Sequence, residues 1–376
     1  MRIVLPLLSV VVAGLLGAGC SGARRPAVRA AEATVEAMAE ATAEPVLAPL
    51  AKCGIVFARG APGAWDAGMV ESAFVWFDAA HGRYAMVYTG YGLKPGATAA
   101  DGYRGVTAPA IGLAWSGDGV RWTRDPATVA APLLAASGIP GTPDEAGLTG
   151  ATVVVRDGLY HLFAIGVTAG GYEGGRKTLA LATSPDLRTW TRTPRPLIEP
   201  SGDGWRRDAI WHRAIVHVDT GYVMFFNASG VVGGAEEERI GLATSHDLRT
   251  WAVDDARSPV LAGSGTPGAW DSHIRAGDPS LLRLPDGRWL MAYYSWDRRH
   301  AQDGYAWTSA EAFPYGWQPL AGNPAVRVGA PGAFDAQHAH KPFLIEIGGE
   351  RFHYYTAVDS AETREIALAA TGDVCR

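Results

Sequence analysis

The chain has 376 residues, of which 48% are hydrophobic and 19% charged, and this is an ordinary globular composition. Its net charge of −5 gives no reason to expect nucleic-acid binding. The 13 Trp, 13 Tyr and 47 Gly residues favour an all-β protein that is rich in turns and aromatic surfaces.

The first residues have the pattern of an export signal. Arg2 precedes an apolar run, Ile3 to Leu16, that is too short to span a membrane comfortably. Small residues directly before Cys20 resemble a bacterial lipoprotein cleavage site, although Gly17 replaces the usual Leu. We therefore predict a lipoprotein signal over residues 1–20, with an acylated Cys20 as the only membrane anchor. This places the protein in the bacterial cell envelope, facing the periplasm or the exterior, and a plain secretory signal is the alternative.

The rest of the chain divides into a tether and one domain. Residues 21–51 are rich in Ala, Glu and Pro and cannot bury a core, so we predict a disordered tether. The folded domain is predicted to span residues 52–376. Cys53 and Cys375 lie at its two ends. Because exported proteins can hold disulfides, we expect these two cysteines to be bonded to each other.

Two recurring elements indicate the fold. The first opens with Gly-x-Trp-Asp and continues through an apolar strand, a turn and an aromatic-rich strand, as in Gly268 to Trp296. The second is an apolar strand followed by a Ser or Thr turn, and its copies begin at Ile111, Leu179, Ile240, Tyr305 and Ile366. The copies lie roughly 60 to 70 residues apart, which is enough for four strands each. We therefore predict an all-β, five-bladed β-propeller with four antiparallel strands per blade.

The last unit lacks a fourth strand of its own. The chain ends too soon after the strand that begins at Ile366 to provide one. We predict that Cys53 to Ala58 supplies it, so that an N-terminal strand closes the ring and brings the two cysteines together.

The residues before each first strand are predicted to surround the mouth of the central channel. When the starts of the first strands of the five predicted units are aligned, Glu71-Ser72-Ala73 corresponds to His212-Arg213-Ala214 and to one segment in each of the other three units. The charged and imidazole side chains collected in this way are Glu71, His212, Arg213, Asp278, His340 and Lys341. Carboxylates perform acid and base catalysis and aromatic faces stack on sugars, so this set favours a sugar site.

These patterns resemble the five-bladed propeller glycosidases, which include glycoside hydrolase families 43, 32, 117 and 130. The resemblance covers Lys52 to the C-terminus and rests on the Gly-x-Trp-Asp openings, the Asp-Pro before a first strand and the S-x-D-L-x-x-W turns. In those families an Asp before Pro serves as base or nucleophile, which implies this role for Asp278. A Glu two residues before the corresponding Pro serves as general acid, which implies this role for Glu71, although Ala73 replaces the Pro.

Several further residues are candidates for the site. Asp66 is an alternative base, although its recurrence at Asp271 and Asp335 favours a role in the turn. His212 and His340 are alternative acids. The candidate substrate-binding residues are Trp65, Asp208, Arg213, Trp270, His338 and Lys341. The histidine spacings do not demand a metal, so we predict no required cofactor, and the resemblance leaves room for a structural calcium ion in the channel.

Together these observations predict a monomeric, extracytoplasmic glycoside hydrolase that acts on an oligo- or polysaccharide through a carboxylate pair in the central funnel. Two alternatives stay open. One is a phosphorylase on the same fold, with Arg213, Arg275 and Lys341 forming a phosphate pocket. The other is a glycan-binding lipoprotein without catalytic activity, because a fold alone does not define a function.

Overall fold

The computed structural model describes residues 43–232 and 234–376. The predicted signal peptide, Cys20 and most of the predicted tether lie outside the described residues. The regular secondary structure of the unit Glu44–Arg376 is almost entirely β-strand, with short helical segments at Ala99–Gly105, Pro126–Thr128 and Gly171–Gly174. Within the part of the chain that the structure describes, no helix has the length and apolar character needed to cross a membrane.

Twenty strands follow one another along the described residues. The first is β1 (Ala51–Phe57), and the next four are β2 (Met69–Asp78), β3 (Arg83–Tyr91), β4 (Ala110–Ser116) and β5 (Thr123–Arg124). A second group contains β6 (Gly147–Arg156), β7 (Leu159–Val167), β8 (Lys177–Ser184) and β9 (Thr191–Arg192). A third contains β10 (Ala209–Val218), β11 (Gly221–Val232), β12 (Ala235–Ser245) and β13 (Ala252–Val253). A fourth group contains β14 (His273–Arg283), β15 (Trp289–Trp296), β16 (Ala301–Thr308) and β17 (Gln318–Pro319). The last group contains β18 (His338–Ile347), β19 (Glu350–Val358) and β20 (Arg364–Ala370).

Consecutive strands pair antiparallel within each group. The groups β2–β5 and β6–β9 are separate four-stranded sheets. Among the described residues, the later groups pair with one another through single parallel bridges, Glu238 to Arg275 and Gln302 to Ala339. β1 pairs antiparallel with β20 and so lies beside the last group. The prediction of an all-β protein built from four-stranded antiparallel units is confirmed.

The apolar cores lie between successive sheets. Val87 and Leu113 of the first sheet, for example, pack with Leu162 of the second in one buried cluster. Equivalent clusters join the second group to the third and the third to the fourth. Another joins the strands at the two ends of the chain to the first sheet. Because each sheet buries both faces against neighbours, inner strands such as β4 alternate little between apolar and polar residues.

The first strands of the groups lie side by side. β2 contacts β6, β6 contacts β10, β10 contacts β14, β14 contacts β18, and β18 contacts β2. The starts of these strands therefore meet around a common axis, and side chains that are far apart in sequence converge there.

A disulfide joins the two ends of the described domain. Cys53 and Cys375 are bonded, with their Cα atoms 4.6 Å apart. Cys53 lies in β1, and Cys375 follows β20, the strand with which β1 pairs. The predicted disulfide is confirmed.

Replacing both cysteines by serine is expected to lower the free energy of unfolding by up to about 5 kcal/mol. The bond spans 322 residues of sequence, and its loss gives the unfolded chain much more conformational freedom. Urea unfolding of the oxidised wild type and of the Cys53→Ser, Cys375→Ser variant measures the difference. Wild type treated with a reductant should unfold at the same urea concentration as the variant. Coincident curves for the oxidised wild type and the variant would contradict the expectation.

Candidate functional site

A pocket of about 330 Å³ lies where the starts of the first strands converge. It is lined by Tyr103, Tyr172, Trp211, His212, Glu238, Arg275, Asp278, Tyr294, Trp296, Ala301, His338, His340, Lys341 and Arg364. A narrower space of about 30 Å³ adjoins it and shares His212, Asp278 and Lys341. The pocket thus combines carboxylates, cations and aromatic side chains, as a binding site for a polar ring requires.

Backbone bulges direct two of the charged side chains into the pocket. An extra residue is inserted opposite the second strand at the start of β2, β6, β14 and β18. At these bulges Ser72, Gly150, Asp278 and Lys341 have φ of 56°, 57°, 52° and 61°. The left-handed region is unfavourable for residues other than glycine, and such strain concentrates at functional sites. Of these four residues, Asp278 and Lys341 line the pocket.

Two buried carboxylates of the pocket share one amide donor. The Asn227 side chain donates from Nδ2 to Glu238 Oε1 and, at 3.4 Å, to Asp278 Oδ1. Tyr294 donates its hydroxyl hydrogen to the other oxygen of Glu238. A Cβ atom on Gly277 would lie 2.7 Å from Asn227 Nδ2 and 2.8 Å from Glu238 Oε1, so glycine at this position leaves room for the pair.

The environment raises the pKa of both carboxyls, but the two differ in the hydrogen bonds and charges that stabilise their ionised forms. Burial and the neighbouring charge of Glu238 raise the pKa of Asp278 to about 8, against the opposing effect of Lys341. Burial also raises the pKa of Glu238, while the hydrogen bond from Tyr294 and the charge of Arg275 oppose the rise. Because the two carboxyls accept hydrogen bonds from the same amide nitrogen, the negative charge of one disfavours ionisation of the other. Glu238, which has the better donors, is the carboxylate, and Asp278 holds the proton.

Glu71 lies beside this pair but is held in a different state. It is fully buried, and its oxygens accept hydrogen bonds from Tyr91 at 3.0 Å and from Tyr103 at 2.7 Å. Lys341 Nζ lies 2.7 Å from Glu71 Oε2. Burial raises the pKa of Glu71, but the charges of Lys341 and Arg364 outweigh it and hold the pKa below its ordinary value. Glu71 is therefore an ionised group whose oxygens are occupied by protein donors, and it does not line the pocket.

The three histidines of the pocket are neutral at physiological pH. Burial, followed by the charge of Lys341, holds the pKa of His212 well below its usual range. Burial and the neighbouring His338 do the same for His340. Burial and Arg364 lower the pKa of His338 to about 4. His212 Nε2 lies 3.9 Å from Asp278 Oδ1, so a neutral imidazole faces the carboxyl that holds the proton.

The comparison with solved structures identifies proteins of similar architecture. No family model and no curated protein matches the chain. Among solved structures, a complex of BT0996 with RGII matches with a TM-score of 0.69 and 20% identity, over 92% of this protein and 95% of that one. A glycosyl hydrolase from Bacteroides ovatus matches with a TM-score of 0.61 and 18% identity, over 88% and 91% of the two proteins.

A third structure comes from the GH130 family of mannoside phosphorylases, described as containing glycoside hydrolases that target β-1,2-mannosidic linkages in Candida mannan. It matches with a TM-score of 0.59 and 16% identity, over 89% of this protein and 95% of that one. The chain has the fold of the propeller glycoside hydrolases. The predicted resemblance to this superfamily is thereby confirmed, and at these identities it concerns the fold.

Several predicted site residues belong to the scaffold of this fold. Asp66 accepts hydrogen bonds from Tyr88 and from Arg124, at 3.0 and 2.8 Å. A Cβ atom on Gly90 would lie 2.4 Å from Trp65, and one on Gly304 would lie 2.5 Å from Trp270. These tryptophans therefore pack against glycines of neighbouring strands and do not line the pocket. The structure thus assigns the Gly-x-Trp-Asp openings to packing.

Two other predicted residues also lie outside the pocket. Asp208 forms a two-pronged ion pair with the adjacent Arg207, at 2.7 and 2.9 Å. Arg213 is buried and donates to the carbonyl oxygens of Gly150, Phe163 and Trp211. Arg213 therefore ties strands together next to the channel. The structure brings together Asp278, His212, His338, His340 and Lys341 as lining residues, and places Glu71 directly behind Lys341.

The main residue that the sequence patterns did not predict is Glu238, with its partners Asn227 and Tyr294. A signal for it exists, because three consecutive Glu residues precede the apolar element that begins at Ile240. Such a run is usually a solvated surface, whereas here Glu238 is buried. Within the described residues, no group of three or more His, Cys, Asp or Glu side chains could hold a metal ion. The calcium ion in the channel stays a prediction.

Proposed function

We propose that this protein is a glycoside hydrolase that acts outside the cytoplasm on an oligo- or polysaccharide. The observation that carries the proposal is the pair of buried carboxylates, Asp278 and Glu238, which share the Asn227 amide on the wall of an aromatic-lined pocket. Cleavage of a glycosidic bond uses one protonated and one ionised carboxyl group. A fold that is shared with glycoside hydrolases supports this reaction class without identifying the sugar.

The roles within the pair follow from their surroundings. Asp278 carries the proton at neutral pH and donates it to the leaving oxygen as the general acid. Glu238 is the ionised partner and either activates a water molecule or attacks the anomeric carbon. In both cases the negative charge of Glu238 stabilises the positive charge that develops on the sugar ring in the transition state.

Lys341 and the histidines have supporting roles in this proposal. Lys341, anchored on Glu71, opposes the rise in the pKa of Asp278 and so keeps it near neutrality, where a general acid is most effective. His212, His338 and His340 are neutral donors and acceptors for sugar hydroxyls. Trp211 and Trp296 offer aromatic faces for the C–H surface of a sugar.

The architecture and the location belong to the same proposal. We infer that the five groups of strands are five propeller blades and that β1 completes the last blade. The contacts from β2 through β18 and back to β2 support this ring. We also retain the lipid anchor at Cys20 and a location in the cell envelope. The disulfide supports export, because such bonds persist in oxidising compartments.

The test is turnover of a panel of aryl glycosides and of plant and algal oligosaccharides, with and without inorganic phosphate. Phosphate-independent release of a sugar that is lost in the Glu238→Gln variant supports the hydrolase. Release that requires phosphate and yields a sugar phosphate would instead identify a phosphorylase. Glycan binding without turnover in both the wild type and the variant would leave the protein as a binding module.

A further inference from the structure

Three permanently charged cations line the same pocket as the carboxylate pair, and they differ in how far their charge is compensated. Lys341 is compensated by Glu71, which lies 2.7 Å away. Arg364 and Arg275 come from different parts of the chain, at the start of β20 and near the start of β14. Each of these two guanidinium groups lies against an aromatic ring, and this arrangement suits the binding of a ligand.

Arg275 lies against an aromatic surface. Its Cζ atom is 5.0 Å from the centre of the Trp296 ring, and both residues line the pocket. Its Nε atom is buried and has no hydrogen-bond partner among the described residues. The charge of Arg275 acts on Glu238, so this cation lies at the catalytic end of the pocket. A guanidinium group that rests on a ring keeps its N–H edge free for an acceptor in its own plane.

Arg364, which lines the same pocket, also lies against an aromatic surface. Its Cζ atom is 4.7 Å from the centre of the Tyr103 ring, and Tyr103 stacks on Tyr172 with ring centres 4.7 Å apart. Arg364 pairs at 2.8 Å with Glu362, whose side chain is 36% exposed. Solvent screens that pair, and the Arg364 charge also acts on Glu71, a carboxylate that it shares with the directly paired Lys341. The Arg364 Nε atom is also buried without a hydrogen-bond partner in the described part of the chain.

We propose that Arg275 and Arg364 form an anion-binding subsite that recognises the carboxylate of a uronic acid residue in the glycan. The guanidinium fork matches a carboxylate with two parallel hydrogen bonds, and such charge-assisted bonds are the strong ones. Two forks on aromatic supports, in a pocket that also holds an acid and a base, fit a sugar ring with an ionised substituent. This inference rests on the proposed function only in taking the ligand to be a glycan.

The experiment measures binding and needs no turnover. Isothermal titration calorimetry compares D-glucuronic and D-galacturonic acid with D-glucose and D-galactose on the full protein at neutral pH. At least one uronic acid is expected to bind about tenfold or more tightly than its neutral counterpart, as expected for hydrogen bonds to charged groups. Arg275→Gln and Arg364→Gln are each expected to remove this preference. Arg121→Gln, at a side chain that is 89% exposed, is the matched control and should preserve it.

The outcomes separate this subsite from the proposed reaction. Thermal unfolding reports whether each variant folds, and Arg275→Gln decides the result if the more buried Arg364→Gln does not fold. Equal or absent binding of the acidic sugars, or a preference that survives Arg275→Gln, overturns the subsite. Arg275-dependent binding of inorganic phosphate that is tighter than uronic acid binding also overturns it. Uronic acid binding without hydrolysis would support the subsite and contradict the proposed hydrolase activity. Hydrolysis of neutral glycans alone would support the hydrolase activity and contradict the subsite.

Discussion

Replacing Glu238 by Gln is expected to lower kcat by about two to four orders of magnitude for every glycoside that the protein cleaves. The amide preserves the shape of the side chain but can neither activate water nor attack the sugar. Asp278→Asn is expected to have a comparable effect on natural glycosides, because it removes the proton donor. With a dinitrophenyl leaving group, which needs no protonation, the effect of Asp278→Asn should shrink while that of Glu238→Gln persists. Rates for the two variants on both substrate types therefore separate the roles.

Matched controls exist at the far ends of the strands. Glu346→Gln and Asp219→Asn alter exposed carboxylates near the ends of β18 and β10 that lie away from the pocket, and they should keep wild-type rates. A leaving-group effect that is equal in both active-site variants would contradict the assignment of acid and base. Wild-type turnover by Glu238→Gln would remove Glu238 from the mechanism altogether.

In the proposed mechanism the same pair determines the pH profile of kcat/KM, because activity requires Glu238 ionised and Asp278 protonated. It should rise with pH as Glu238 loses its proton, at a pKa above its ordinary value, and fall again near pH 8 as Asp278 loses its proton. In Asp278→Asn, assayed on the activated substrate, the fall near pH 8 should disappear. An alkaline limb that persists in this variant would mean that another group supplies it.

Replacing Lys341 by Met is expected to lower the free energy of unfolding by about 3–5 kcal/mol. The change leaves Glu71 fully buried and ionisable without its nearest cation. Combining Lys341→Met with Glu71→Gln removes both charges and should restore most of the loss, because the desolvation cost of an unpaired charge is then absent. Urea unfolding at pH 7 of the wild type, both single variants and the double variant measures the coupling between the two residues. Additive losses would show that the two charges do not depend on each other.

Acid should weaken the wild type through the same residue. The pKa of Glu71 in the folded protein lies below its ordinary value of 4.5, so its contribution is complete above that value. The contribution is lost as the pH falls through the lowered pKa. The double variant, which has no carboxylate at this position, should show a correspondingly smaller loss between neutral and acidic pH.

The recurring sequence elements predict much of the fold because their residues occupy equivalent packing positions in successive groups of strands. The four-stranded units and the bond between Cys53 and Cys375 follow from spacing and from chain position. The Gly-x-Trp-Asp residues recur for the same reason, and their tryptophans fill space above glycines. Among site residues, Asp278 and Lys341 could be predicted because their identities depart from the pattern at a recurring position, where the bulge turns the side chain into the pocket.

Glu238 could not be predicted from the recurring sequence elements because this residue lies outside them. The hairpin of β11 and β12 has strands of 12 and 11 residues, compared with nine and seven for β3 and β4. Glu238 lies on this extension, paired with Ser229 and bridged to Arg275 of β14. Burial of such a charge is decided by contacts with the next sheet, and the local sequence pattern does not contain them.

The register of β10, the first strand of the third group, also could not be predicted from the sequence. Strand pairing places Ala214 in register with Phe74, one residue away from the alignment made on the sequence. His212 thereby takes the position that Asp278 occupies in its own strand, which explains why both side chains line the pocket and the adjoining space. Arg213 moves to the next position and bonds to backbone carbonyls instead.

The pairing of β1 with β20 has a consequence for how the protein is made. During synthesis Ala51–Phe57 leaves the ribosome long before Arg364–Ala370 exists, so β1 has no partner strand until β20 has been made. Cys53 likewise has no Cys375 to join, because 322 residues of sequence separate them. The ends of the domain can therefore meet only after β20 has left the ribosome, and a chain that stops before β20 leaves β1 as an unpaired edge open to aggregation.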